Sequence, residues 1–80
     1  MMKLYQFETC PYCARVRARM SDLELTYINV NVPRDRMRRK EVLEVSGQTG
    51  VPTLVTEEGQ VIADDDNAII AYLEEKYGGG

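Results

Sequence analysis

The order of local patterns in this chain predicts an α/β fold, with a four-stranded mixed sheet covered by three helices in the order β-α-β-α-β-β-α. Three observations carry the prediction. Apolar residues recur at helical spacing after a proline at position 11. A β-branched and aromatic run at 25–32 follows that helix and must return parallel to the first strand, because a strand–helix–strand crossover allows nothing else. Two short apolar runs flank "EEG" at 57–59, a hairpin signal.

Each element has its own justification. "KLYQF" at 3–7 alternates Leu4 against polar neighbours and is rich in strand formers. Cys13, Val16, Met20 and Leu23 then fall three and four residues apart, on one helix face. Pro11 sits in the first turn of that helix, where a missing N–H costs nothing. "LTYINVNV" at 25–32 reads as the second strand, ended by Pro33. "RDRMRRKEVLEVSG" reads as a helix capped near Asp35 and stopped by Gly47, with its arginines on the solvated face. "VPTLVTEEGQVIA" supplies the hairpin. "DDDNAIIAYLEEKY" is the last helix, with Ile69, Ile70, Leu73 and Tyr77 on one face, aspartates at its positive end and Gly78 as C-cap. The terminal triple glycine reads as a frayed end or a cut linker.

Composition narrows the function classes. Eighty residues suggest one domain, and a chain of that size buries about 60% of its unfolded surface. No apolar run approaches the roughly 18 residues of a membrane span, and the start "MMKLYQFE" lacks a signal-peptide core. A cytoplasmic, monomeric protein without membrane contact is expected. Residues 1–40 hold nine Lys/Arg against four Asp/Glu, and residues 41–80 hold one against nine. The basic half is not interleaved with aromatics and the fold brings the halves together, so nucleic-acid binding is not expected.

Both cysteines lie in "ETCPYC", as Cys10 and Cys13. The chain has two Cys and no His, whereas a zinc site takes about four such ligands, so no metal is expected. A disulfide across three residues closes too small a loop to stabilise much. Two inert core thiols are the bland alternative. In a reducing cytosol the spacing fits redox chemistry better. Cys10 would cap the first helix with Cys13 one turn inside. The unpaired N–H groups and positive dipole end there favour a thiolate over a thiol. Pro11 stiffens the turn, Tyr12 is the expected exposed lid, and Cys13 is within reach to resolve a mixed disulfide. Arg15 and Lys3 are candidate sources of further positive charge.

"CPYC" at 10–13, "SGQTGVPTLV" at 46–55 and the element order resemble the dithiol glutaredoxin family, and the likeness covers essentially the whole chain. "DDNAIIAYLEEKYG" is also similar to the end of glutathione S-transferase N-terminal domains, where Glu-Ser stands at Asp65 and Asp66. The resemblance implies a thioredoxin-like (glutaredoxin) fold over residues 1–80. It implies a cis peptide at Val51-Pro52, with Pro52 against the sulfurs and the Val51 backbone pairing with glutathione as a short added strand. It also implies glutathione contacts from Gln48, Asp65 and Asp66. Four positions differ from the common family pattern. Phe7 stands for a lysine, Gln48 is uncharged, Gly50 replaces Thr, and Ile62-Ala63 replaces Gly-Gly. Besides its plain reading as a solvated helix face, the basic run "RDRMRR" at 34–39 is an alternative source of that lysine's charge or a dock for an acidic partner.

Together these readings imply a glutathione-dependent thiol–disulfide oxidoreductase, with glutathione as co-substrate and Cys10 as nucleophile. Its expected partners are disulfide-containing or glutathionylated proteins, a ribonucleotide-reductase-type acceptor among them. Three alternatives stay open. One is electron supply from thioredoxin reductase. Another is an iron–sulfur cluster bridged between two chains with glutathione. The third is a piece of a transferase.

Overall fold

The computed structural model describes residues 1–78; the expectation for the last two glycines falls outside them. Its elements are β1 (Lys3–Gln6), α1 (Pro11–Asp22), β2 (Ile28–Asn31), α2 (Lys40–Ser46), β3 (Thr53–Val55), β4 (Val61–Ala63) and α3 (Asp66–Tyr77). The sheet runs β2-β1-β3-β4, with β1 parallel to β2 and the other pairs antiparallel. The mixed sheet with three helices is the thioredoxin-like arrangement.

Alternation along the central strands divides the core. Leu4 and Leu54 turn to one face, where Val16 and Met20 of α1 and Ile69 and Leu73 of α3 close a fully buried cluster. Tyr5 turns to the other face and meets Val42 of α2, Cys10, Cys13 and Val51. Of the polar neighbours expected at β1, Lys3 is exposed but Tyr5 and Gln6 are not solvated. Tyr5 and Gln6 are as buried as Leu4 because helices cover both faces of an inner strand. The Tyr5 hydroxyl donates to Glu41 at 2.9 Å, and Gln6 donates to Asn31 at 2.7 Å while accepting from Arg17.

Turn chemistry sets the boundaries. Gly59 adopts φ 87 and its N–H donates to Thr56 O, closing the hairpin. The Asp65 carboxylate accepts from Ala68 N at 3.0 Å and caps α3. β2 is shorter than the 25–32 run. The Leu25 N–H is spent on Met20 O at 3.0 Å after Glu24 turns at φ 56, so sheet pairing starts only where Ile28 N–H reaches Met2 O at 2.9 Å.

The second helix departs most from expectation. Asp35 caps only a 3₁₀ turn at Arg36–Arg38, accepting from Met37 N at 3.0 Å, and α2 begins five residues after that cap. Arg39 interrupts the helix because its side chain is drawn inward, leaving 5% of the residue exposed. Its guanidinium donates to Pro33 O at 2.8 Å, Thr49 O at 2.9 Å and Arg34 O at 2.9 Å. It also stacks 5.2 Å from the Phe7 ring centroid. The basic run is thus not uniformly a solvated face. A lysine has no fork to reach three carbonyls, so Arg39→Lys should lose about 2 kcal/mol in urea unfolding. A solvated arginine would leave stability within about 0.5 kcal/mol.

Candidate active site

α1 starts where it does because Pro11 supplies a preset φ and Cys10 supplies the cap. Cys10 is extended at φ −76, ψ 117, its carbonyl accepts from Ala14 N, and its Sγ accepts from Cys13 N at 3.3 Å. An N–H directed at the sulfur is an arrangement that supports negative charge there. Cys10 is 5% exposed and Cys13 is fully buried. The two are unbridged. Burial pushes the Cys13 thiol up to about 12, helped by its hydrogen bond to Cys10. Of the two cations suggested as helpers, Arg15 binds Asp66 and Asn67 instead. Lys3 lies exposed on β1.

Cys10 opens into a groove of about 400 Å³. The start of α1 contributes Cys10, Pro11 and Tyr12, and the loop before β3 contributes Gly50 and Val51. Phe7, Arg34, Arg36, Arg39 and Asp64 complete it. Tyr12 is 60% exposed. A smaller adjoining cavity lies between Tyr12, Val51, Pro52, Asp64 and Asp66. The Val51–Pro52 peptide bond is cis and Pro52 is buried. Among the described residues, neither the N–H nor the C=O of Val51 enters the loop, turn and cap hydrogen bonds. Its backbone is free to pair with something extended.

Cys10, Pro11, Tyr12, Val51, Pro52 and Asp66 thus come together, and two sequence candidates do not. Gln48 folds into its own loop: its Nε2 donates to Ser46 Oγ at 2.8 Å, and its Oε1 accepts from Gly50 N at 2.6 Å. It braces the turn before the cis bond. The Asp65 carboxylate caps α3 through Oδ1 and lines neither cavity.

Sequence reading missed Asp64, which lines both cavities in a left-handed conformation at φ 52. A methyl on Gly50 would collide with its carboxylate, so the glycine makes room for it. Arg34 and Arg36 were read chiefly as helix surface; Arg34 precedes the 3₁₀ turn, Arg36 begins it, and both line the groove.

The model of the glutathione S-transferase N-terminal domain family matches residues 4–80. The chain is a glutaredoxin-like member of that family. An uncharacterized glutaredoxin-like 8.6 kDa protein in the rubredoxin operon of Clostridium pasteurianum is 33% identical over 95% of this chain and 100% of its own length. Glutaredoxin 3 of Escherichia coli is 29% identical over 81% of this chain and 78% of its own. A glutathione transferase homolog from Drosophila mojavensis, solved with bound glutathione, superimposes with a TM-score of 0.80 at 31% identity. That match takes in 98% of this chain but 36% of the transferase, so the chain spans about a third of that protein.

The buried thiol has a consequence for stability. Cys13 holds its proton up to about 12 in the fold, against an ordinary 9.0, so between those values the folded state binds a proton the unfolded state has released. Stability of the reduced protein should therefore fall as pH rises from about 9 to about 12. Tyr5 and Tyr77, also raised by burial, titrate in the same sense. Urea midpoints against pH should decline less steeply in Cys13→Ala than in the native protein.

Proposed function

We propose that this protein is a glutathione-dependent thiol–disulfide oxidoreductase of the glutaredoxin kind, acting in the cytoplasm on protein disulfides and glutathionylated proteins. One observation carries the reading: the Cys10 sulfur, capped by the Cys13 N–H, shares a groove with the free backbone of Val51. The likeness to glutaredoxin 3 and to a transferase homolog with bound glutathione supports it.

In this reading the Val51 backbone pairs with the cysteine residue of glutathione, and Asp64 and Asp66 border the ligand's ammonium. The Cys10 thiolate attacks the glutathione sulfur of a glutathionylated protein. A Cys10–glutathione disulfide forms, and the protein leaves as a thiolate that takes a proton from water. A second glutathione thiolate then attacks the glutathione sulfur, giving oxidised glutathione and restoring the Cys10 thiolate. In the reduced protein, burial and the hydrogen bond to Cys10 hold the proton on Cys13. Release of the Cys10–glutathione disulfide by a second glutathione needs no Cys13 thiolate, and Cys13 is the alternative resolving thiol.

A second reading takes electrons from a thioredoxin reductase. It is favoured by Phe7, an apolar ring where many glutaredoxins have lysine, and by Gln48, whose amide is spent in its own loop.

Turnover of one glutathionylated peptide with two electron supplies separates the readings. NADPH, glutathione reductase and glutathione should support it, and NADPH with thioredoxin reductase should not; the reverse result would overturn the glutathione reading. Cys10→Ser should lose all turnover. Cys13→Ser should keep glutathione-supported turnover within about threefold, because release by a second glutathione does not use that thiol.

A further inference from the structure

Apart from Lys3 on β1, the lysines and arginines of this chain fall into two groups. On α1 and α3 they are neutralised: Arg15 pairs with Asp66, Arg17 with Glu8, Arg19 with Asp22 and Glu74, and Lys76 with Glu58. Between 34 and 40 they are not. Among the described residues no ion pair engages Arg34, Arg36, Arg38 or Lys40, and all four are exposed. The one acid among them, Asp35, turns its carboxylate to the Met37 N–H. Met37 itself stands 91% exposed on the same turn. A chain of net charge −3 thus carries a local positive surface.

Its position matters more than its charge. Arg34 and Arg36 line the groove that holds Cys10, and Arg34 lies 6.0 Å from the Phe7 ring centroid. Arg38 and Lys40 lie outside the groove lining, so the positive surface starts beside the nucleophile and continues past the cavity. A tripeptide seated at Cys10 and Val51 leaves that outer part uncovered. A longer chain bearing the reacting cysteine would run over it.

We infer that the 34–40 turn is a docking surface for substrate proteins whose reacting cysteine is flanked by Asp or Glu. The inference rests on the thiol–disulfide reading above. The Cys10 thiolate takes glutathione from the substrate cysteine, and the leaving substrate thiolate is the end held against the arginines. Complementary charge raises the encounter rate and is screened by salt.

The test uses two peptides of equal length, each glutathionylated at one central cysteine, one with Glu and one with Lys at the flanking positions. In the glutathione reductase assay the native protein should turn over the acidic peptide about tenfold faster at low ionic strength. The ratio should approach unity in about 1 M salt. Arg36→Glu with Arg38→Glu should reverse the preference. Arg36→Gln with Arg38→Gln, which adds no repulsion, should abolish it and covers the case in which the reversed variant fails to fold. Equal rates on both peptides overturn the docking surface and leave the activity standing, whereas no turnover of either overturns the activity itself. Tighter binding of a short DNA duplex than of the acidic peptide, by fluorescence anisotropy at one salt concentration, overturns the choice of a protein segment.

Discussion

The groove around Cys10 depends on one buried cation. The Arg39 guanidinium reaches three carbonyls in two loops, at Pro33, Arg34 and Thr49, and lies against the ring of Phe7 in a third. Those loops bring the basic turn, the Val51 backbone and the approach to α1 to one place. Burying a guanidinium is costly unless its donors are satisfied. Here oriented carbonyls and an aromatic face replace water without a carboxylate partner. An apolar side chain in its place would leave the three carbonyls unpaired.

The cysteine pair shows how one helix turn can separate two identical thiols. Cys10 stands outside the first turn, where an N–H is directed at its sulfur and the groove reaches it. Cys13 stands inside, fully buried against Tyr5 and Val42, where burial opposes a charge. The two thiols therefore differ in surroundings: one borders the groove and the other lies in the core. Gly50 contributes on the other side, because its missing side chain lets the Asp64 carboxylate lie at the mouth of both cavities.

Much of the architecture was legible in local signals. Pro11 after a cap, Asp65 before an apolar face and Gly59 in a charged turn each mark a boundary that backbone chemistry makes hard to avoid. What escaped reading is long-range. The inward turn of Arg39 is set by carbonyls up to ten residues away, which no periodicity encodes. Burial of Gln6 depends on Asn31 and Arg17 arriving from other elements. Gln48 and Asp65 were assigned by likeness to a family pattern; in the structure both make local hydrogen bonds and neither lines the groove, whereas the unassigned Asp64 does. The motif located the chemistry, and packing decided which neighbours attend it.

The account turns on Cys10 carrying glutathione. Incubating the reduced Cys13→Ser protein with oxidised glutathione at neutral pH and mapping the adduct by peptide mass spectrometry tests this directly. One glutathione, attached at Cys10 and released by added glutathione, is the predicted result. An unmodified Cys10 under conditions that glutathionylate a free model thiol would contradict the account.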